Sequence, residues 1–204
     1  MIIFRFLLSL FFWLYVQLAI LLVALGFGYG LTRYILRFLF WCCGFRVTIQ
    51  GKENITSNKP VVYIGNKPDL ISTFALIAFF PRRLCFVADT KLFAMPFLGR
   101  VIKGIGCLPA VKKGEAAFSF SSKVSKALRS VGNIMFFPFN LRDPERHYSS
   151  FQPAEIKIAQ VFGANIIPIL ITGTEKIMPP GSAIFSPGRI EIIVGPSLAV
   201  TDVG

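Results

Sequence analysis

Short apolar runs alternate with helical segments along most of this chain, and this alternation limits the fold more than any other feature. Predicted strands cover residues 46–50, 61–65, 84–88, 106–111, 133–137, 164–172 and 189–195. Predicted helices between them cover residues 70–80, 96–102, 116–130 and 153–162. Strands that alternate with helices build a mostly parallel sheet flanked by helices. The sequence therefore predicts an α/β domain over residues 46–204.

An uncharged apolar run precedes that domain. Between residues 6 and 27 only Ser9 and Gln17 are polar, and no residue is charged. A helix of that length, at about 1.5 Å per residue, can cross a hydrocarbon core of roughly 30 Å. Residues 32–45 form a second predicted helix, which carries Arg33 and Arg37 on one face, at the level of lipid headgroups. Residues 1–45 are therefore predicted to be a two-helix membrane anchor, either spanning or re-entrant.

The charge balance agrees with a membrane location. The 204 residues carry a net charge of +12, and 54% of them are hydrophobic. Each Lys or Arg near an anionic membrane surface gains about 1 kcal/mol. No nucleic-acid-binding motif is present, so membrane lipids with anionic headgroups are the predicted partners and nucleic acid is not. More positive residues follow the apolar run than precede it, which predicts a main domain facing the cytoplasm.

Motifs for metals, cofactors and nucleophiles are absent from the sequence. Cys42, Cys43, Cys85 and Cys107 form neither a metal-ligand nor a disulfide pattern. The single histidine, His147, has no partner residue at a recognisable spacing. No Gly-x-Ser-x-Gly turn and no Walker A loop occurs. We therefore predict no metal site and no cofactor.

Several blocks of sequence occur in the order of one known family. Residues 63–72 read Tyr-Ile-Gly-Asn-Lys-Pro-Asp-Leu-Ile-Ser, and residues 136–142 read Phe-Phe-Pro-Phe-Asn-Leu-Arg. Further blocks lie at residues 86–99, 106–112 and 166–173. With these blocks, residues 60–196 resemble the glycerophospholipid acyltransferases, the family that includes 1-acylglycerol-3-phosphate O-acyltransferase. The resemblance implies the family's α/β fold, preceded here by the membrane anchor.

At the first motif of that family this chain has other side chains. The family keeps a His-x-x-x-x-Asp pair, in which the His removes the proton of the acceptor hydroxyl and the Asp orients it. Asn66 matches the Asn that precedes the His, but Lys67 stands at the His position and Ser72 at the Asp position. Lysine is a poor base near neutral pH, because its unperturbed pKa is about 10.4. We therefore predict that positions 67 and 72 supply no catalytic residue.

The family's Phe-Pro-Glu-Gly-Thr-Arg motif is altered as well. Phe139, Asn140 and Leu141 replace the Glu, Gly and Thr that help to hold the acceptor's phosphate. Arg142 remains and can still contact a phosphate through its guanidinium fork, with Lys112 as a second, weaker cation. The predicted substrate-binding residues are thus Arg142 and Lys112.

These observations predict a membrane-bound protein of the acyltransferase fold that is no enzyme. It would retain binding of lipid or of an acyl donor, either acyl-CoA or acyl carrier protein. One alternative is an active 1-acylglycerol-3-phosphate O-acyltransferase of phospholipid biosynthesis with an altered base. A second alternative is a non-catalytic membrane scaffold. An acyl-transfer assay separates the first alternative from the other two readings.

Overall fold

The computed structural model of the chain describes residues 2–24, 29–55, 59–66, 69–88, 90–94, 98–110, 117–137, 153–179 and 181–198. The helices are α1 (Ile2–Ala24), α2 (Tyr29–Cys42), α3 (Leu70–Phe79), α4 (Thr90–Ala94), α5 (Leu98–Gly104), α6 (Ala117–Ser130), α7 (Pro153–Phe162) and α8 (Thr174–Ile177). The strands are β1 (Phe45–Gln50), β2 (Val61–Gly65), β3 (Cys85–Ala88), β4 (Leu108–Pro109), β5 (Asn133–Phe136), β6 (Asn165–Thr172) and β7 (Gly188–Val194).

The strands form one sheet in the order β1-β7-β6-β2-β5-β3-β4. All neighbouring strands are parallel except β6 and β7. The predicted α/β fold with a mostly parallel sheet is therefore confirmed. β2 lies in the middle, between β6 and β5, and all five of its residues are buried. Because β2, β5 and β6 are parallel, their carboxyl ends meet at one edge, where open α/β sheets bind ligands.

Helices cover both faces of the sheet, and β2 shows the division most clearly. Val61 and Tyr63 pack into a core cluster that also contains residues of α1, α2, α3, α5 and α8. Val62 and Ile64 point the other way, into a cluster completed by α6 and α7. Side chains of a strand alternate between the two faces, so a continuous apolar run such as β2 is explained by burial on both sides.

Helix α1 packs against the α/β domain. Phe12 is fully buried, with ring contacts to Phe74 and Phe185 at 6.5 and 4.5 Å between centroids. The indole of Trp13 donates a hydrogen bond to the carbonyl of Ala183 at 3.0 Å. Within the described ranges, no helix is both long and apolar enough to cross a membrane. The predicted spanning anchor is thus not confirmed, and the boundary at residue 45 stays a prediction.

The arginines of α2 bind main-chain carbonyl groups at the end of α3. Arg33 donates to the carbonyl oxygens of Ala78 and Phe80 at 3.3 and 2.8 Å, and Arg37 donates to that of Ala78 at 2.8 Å. Arg33 is partly buried and Arg37 is exposed, so contact of these two cations with lipid headgroups stays a prediction. The spacing of four residues predicted that Arg33 and Arg37 share one face of α2. In the structure this face lies against the carboxyl end of α3. The last carbonyls of a helix lack partners within it, and guanidinium groups can satisfy them.

Candidate active site

The loop between β2 and α3 lies at the carboxyl edge of the sheet, and it carries the residues that correspond to the family's reactive pair. β2 ends at Gly65 and α3 begins at Leu70. Lys67 lies outside the described residues. Ser72 lies in the first turn of α3 and is fully buried. A buried hydroxyl needs a hydrogen-bond partner, and that partner shows how the site is built.

Asn66 fixes the first half of this loop to the neighbouring strand. Its side-chain amide donates to the carbonyl of Ile171 at 3.0 Å, and its side-chain oxygen accepts from the amide of Ile171 at 2.8 Å. The main-chain pairing of β2 with β6 ends at Gly65 and Ile169. Asn66 thus continues that pairing with a side chain, and it holds the backbone immediately before residue 67 in a defined place.

Asp69 fixes the second half of the loop. Its Oδ1 accepts from the amide of Ser72 at 2.6 Å, which makes Asp69 the N-cap of α3. Its Oδ2 accepts from the hydroxyl of Ser72 at 2.8 Å and from the hydroxyl of Thr174 at 2.8 Å. Three donors and the amino end of a helix therefore surround this carboxylate and stabilise a negative charge there.

Thr174 reaches Asp69 because of the turn that follows β6. Gly173 has a φ of +91°, and a Cβ at this position would collide with the main-chain oxygen of Arg189. Only glycine fits this conformation and this approach together. The turn starts α8 at Thr174, whose side chain is 2% exposed. Both anchors of the β2–α3 loop therefore lie on the segment from β6 to α8.

The second altered motif begins beside this loop. Phe137 follows β5, and its ring is close enough to Gly65 that a Cβ there would lie 2.7 Å from it. Phe137 also stacks on Phe86, with centroids 6.4 Å apart. The other five residues of the altered motif lie outside the described residues, as does the predicted phosphate contact Lys112. They are Pro138, Phe139, Asn140, Leu141 and Arg142.

Sequence reasoning found part of this site and missed the rest. Asn66, Lys67 and Ser72 were identified through the resemblance. Asp69 was not among the predicted site residues, although an Asp directly before a helical segment is a typical N-cap signal. Thr174 carries no local signal, since it is 105 residues from Asp69 in sequence. No group of acidic, His and Cys residues that could hold a metal occurs in the described part of the chain.

Comparison with known proteins defines the class to which this fold and this loop belong. The family model described as Acyltransferase matches residues 46–172. The chain therefore belongs to the acyltransferase family, and the resemblance to the glycerophospholipid acyltransferases is confirmed. The matched region runs from β1 to β6, so it contains the bonds between Asn66 and Ile171 but ends before Thr174.

Individual relatives carry more specific names. The chain is 26% identical over 153 residues to the 1-acyl-sn-glycerol-3-phosphate acyltransferase LPAT1, chloroplastic, of Arabidopsis thaliana, covering 74% of this chain and 43% of that protein. It is 23% identical over 147 residues to a 1-acyl-sn-glycerol-3-phosphate acyltransferase of Borreliella burgdorferi, covering 72% and 59%. The chain thus spans less than two thirds of the length of these relatives.

A solved structure supports the fold. The 1-acyl-sn-glycerophosphate (LPA) acyltransferase PlsC from Thermotoga maritima superposes with a TM-score of 0.73 at 20% identity, covering 97% of this chain and 87% of that one. At this identity the likeness concerns the fold. It extends over nearly the whole chain, including the helices α1 and α2 that precede the matched family region.

These comparisons correct the prediction that the chain is no enzyme. Named relatives from plants and bacteria are acyltransferases, and the family match includes the altered motif. The prediction followed from the replaced residues at positions 67, 72 and 139–141, and at position 72 the structure adds a relevant observation. The carboxylate of Asp69 lies 2.8 Å from the Ser72 hydroxyl, so a carboxylate does border position 72.

Proposed function

We propose that this chain is a membrane-bound acyltransferase that moves an acyl group from a thioester to the free hydroxyl of a lysophosphatidate. The observation that carries the proposal is the family match over residues 46–172, which contains the site loop and the strands around it. The relatives named 1-acyl-sn-glycerol-3-phosphate acyltransferase support this acceptor. The proposed donors are acyl-CoA and acyl carrier protein.

The reaction needs a group that takes a proton from the acceptor hydroxyl, and we assign this role to Lys67. In its neutral form the Lys67 amine accepts that proton while the hydroxyl oxygen bonds to the thioester carbonyl carbon. The carbonyl electron pair moves onto its oxygen. When it returns, the C–S bond breaks, and the thiolate takes the proton from the Lys67 ammonium. The products are the ester and the free thiol, and the lysine is restored.

A lysine base makes a specific prediction about pH. An unperturbed lysine has a pKa of about 10.4, whereas an unperturbed histidine has one of about 6.5. The kcat/KM of the unmodified chain should therefore rise steeply above neutral pH. In Lys67→His the rising limb should move toward pH 6 to 7, on the order of the histidine value. Lys67→Ala should lose about 10²-fold to 10⁴-fold in kcat.

The assay uses the purified full chain in detergent with lysophosphatidate and either acyl-CoA or acyl carrier protein as donor. Formation of phosphatidate and release of free thiol are measured together, so that donor hydrolysis is distinguished from transfer. Lys67→Ala from the same preparation controls for a contaminating host enzyme. Absence of phosphatidate with both donors would contradict the proposed function.

The phosphate of the acceptor is assigned to Arg142, with Lys112 as a second cation. Arg142 stands at the Arg of the family's phosphate-side motif, and it follows β5, whose carboxyl end borders the loop. A guanidinium binds a phosphate through two parallel hydrogen bonds, which an ammonium cannot do. This assignment rests on the matched family region, which includes both residues.

The membrane surface is assigned to the exposed face of α1 and α2. The rings of Phe11, Tyr15, Phe38 and Trp41 form a continuous row with centroids 5.8, 5.8 and 6.0 Å apart. Trp41 is 76% exposed and Leu14 is 63% exposed. Contiguous exposed apolar surface of this kind is typical of membrane or protein contact. We propose that it lies in the lipid headgroup region, with the main domain on the cytoplasmic side.

A further inference from the structure

An open groove of about 710 Å³ lies between α6 and α7. These two helices cover the face of the sheet on which Val62 and Ile64 are buried. The helices α1 and α2 cover the other face, together with Val61 and Tyr63. The groove is therefore separate from the exposed aromatic row of α1 and α2, and the residues that line it do not belong to the β2–α3 loop.

The two walls of this groove differ in character. On the α6 wall, Lys126 and Arg129 are exposed, and serine hydroxyls lie beside them. The α7 wall is apolar, since Val161 is 72% exposed and Phe162 is partly buried. Lys157 is exposed and lies four residues before Val161, which places both on one face of α7. The groove thus presents an apolar strip with cations on both sides.

The helix dipoles do not account for these cations. A cation is stabilised near the carboxyl end of a helix, but this effect is confined to the last turn. Arg129 lies in the last turn of α6, whereas Lys126 precedes that turn and Lys157 lies near the middle of α7. Lys126 and Arg129 are also neighbours on the helix surface, where like charges repel, and α6 contains no acidic residue. The arrangement favours an anionic partner outside the chain.

That partner is dissolved in the aqueous phase if α1 and α2 lie on the membrane. The sheet and its helices stand between the exposed face of α1 and α2 and the groove. A single helix layer is about 10 Å across, and the Debye length at physiological ionic strength is about 8 Å. Lipid headgroups beneath α1 and α2 are therefore screened from the groove, and its partner is a soluble anion.

We propose that this groove is the docking surface for an acidic acyl carrier protein, and that the acyl donor is therefore carried by that protein. An amphipathic helix fits a groove of this kind by laying its apolar face against the apolar strip. Acidic side chains beside that face then meet Lys126, Arg129 and Lys157. Acyl carrier proteins are small, acidic and helical, so they supply both features. The inference rests on the proposed function, because it selects between the two donors named there.

The position of the groove leaves the site loop open. β4 and β5 run in the same direction in the sheet, so α6, which connects them, runs back from the carboxyl edge toward the amino edge. Lys126 lies about 14 Å along the helix from its first residue. A carrier protein holds its thioester at the end of a long flexible arm. The protein therefore docks at the groove while the arm extends to the carboxyl edge.

The first test measures docking without acyl transfer. The full chain in detergent is titrated with fluorescently labelled acyl carrier protein that bears no acyl group. We expect binding that weakens as the salt concentration rises. Lys126→Glu with Arg129→Glu should weaken it by at least about 10-fold, because like charges then face the partner. Arg46→Glu with Lys52→Glu makes the same change in net charge at the β1 edge of the sheet, and this control should bind as the unmodified chain does.

A second variant tests the apolar wall. Val161→Glu places a carboxylate in the strip that the partner helix would cover. Glutamate is a better helix former than valine, and position 161 is exposed, so the fold should be kept. The thermal midpoint checks this for both groove variants. We expect Val161→Glu to weaken binding of the carrier protein by at least about 10-fold.

The second test compares the two donors in the phosphatidate assay. With acyl carrier protein as donor, both groove variants should raise the donor KM by at least about 10-fold, with kcat changed less than a few-fold. The rate with acyl-CoA should not respond to these substitutions, because that donor has no protein to dock. A donor-specific change in KM therefore separates docking from a general loss of activity.

Each outcome decides the proposal. Equal binding by the unmodified chain and both groove variants, or no binding at low salt, overturns the docking surface, and phosphatidate formed from acyl-CoA then leaves the proposed function intact. A rise in KM for acyl-CoA in the groove variants would mean that the groove takes the nucleotide end of that donor, and the carrier-protein assignment would be wrong. Carrier protein that binds at the groove without phosphatidate from either donor overturns the proposed function and the donor role, while the docking surface stands.

Discussion

One hydroxyl group in the core links protein stability to alkaline pH. Tyr63 of β2 is fully buried, and its hydroxyl has no hydrogen-bond partner among the residues that the structure describes. Burial raises the pKa of Tyr63 to about 12. In the unfolded chain a tyrosine ionises near pH 10, so between about pH 10 and 12 the unfolded state binds fewer protons than the folded state. Stability is therefore retained below pH 10 and lost as the pH rises toward 12.

Tyr63→Phe should weaken this alkaline loss. It removes a buried hydroxyl that lacks a partner, so we expect a gain of about 1 kcal/mol in the free energy of unfolding at pH 7. Between about pH 10 and 12 the variant should lose less stability than the unmodified chain. Thermal unfolding followed by circular dichroism in detergent measures both effects. Tyr34→Phe is the control, because Tyr34 is 69% exposed. Equal alkaline slopes in Tyr63→Phe and the unmodified chain would contradict the explanation.

The assignment of Arg142 to the acceptor phosphate makes a separate prediction. Arg142→Lys keeps the charge and loses the two-pronged geometry, whereas Arg142→Ala loses both. We expect KM for lysophosphatidate to rise about 10-fold in the Lys variant and more in the Ala variant, because charge-assisted hydrogen bonds contribute about 1.5–3 kcal/mol each. Steady-state kinetics with a fixed donor concentration measures KM, and Arg46→Ala, an exposed arginine of β1, is the control. A change in donor KM alone would show that Arg142 binds the donor instead.

At the scale of elements, α3 is held at both ends by other parts of the fold. Asp69 caps its amino end, and Arg33 and Arg37 of α2 bind the carbonyls of Ala78 and Phe80 at its carboxyl end. The Arg37 guanidinium also lies 5.8 Å from the ring centroid of Phe79. α3 therefore connects the site loop to the helix pair that carries the exposed apolar face.

Removing both arginines should lower the free energy of unfolding. Arg33→Met with Arg37→Met keeps much of the apolar volume but leaves the carbonyls of Ala78 and Phe80 without these donors. We expect the double variant to lose roughly 2–6 kcal/mol of unfolding free energy, from about 1–3 kcal/mol for each of the two unsatisfied carbonyl groups. Thermal unfolding in detergent measures the loss. Arg46→Met, an exposed arginine of β1, should change stability by less than about 0.5 kcal/mol. If the double variant and Arg46→Met changed stability equally, the hydrogen bonds from Arg33 and Arg37 to the end of α3 would not contribute to stability.

Elements with a strong local pattern could be predicted from the sequence, and those fixed by tertiary contacts could not. The bounds of β2 and α7 agree with the prediction, because each carries a long apolar or periodic signal. The short helices α4 and α8 were missed, since five and four residues show no period. In the site, Asn66 followed from the resemblance, but the bond between Asp69 and Thr174 joins residues that only the folded sheet brings together.

At the scale of the whole molecule, α1 and α2 show why composition alone did not define the anchor. The length of the apolar run and its lack of charge predicted a membrane anchor, either spanning or re-entrant. In the fold, one side of this helix pair joins the core of the domain through residues such as Phe12 and Leu39. The other side exposes Leu14, Tyr34 and Trp41. The apolar residues are thus divided between two environments, a division that depends on what α1 packs against.

The two tryptophans of the chain allow that division to be tested directly. Trp13 donates its indole N–H to the Ala183 carbonyl and is partly buried, whereas Trp41 is 76% exposed at the end of the aromatic row. We expect lipids brominated near the headgroup to quench the fluorescence of Trp41 strongly, since aromatic rings favour the membrane interface. The measurement uses Trp13→Phe in vesicles to isolate Trp41, and Trp41→Phe to isolate Trp13. Trp13 should be quenched less, because α1 packs that side chain against the domain. Strong quenching of both residues by bromine near the centre of the bilayer would show instead that the helix pair is inserted deeply. If neither tryptophan is quenched by either brominated lipid, the exposed face of α1 and α2 does not contact lipid.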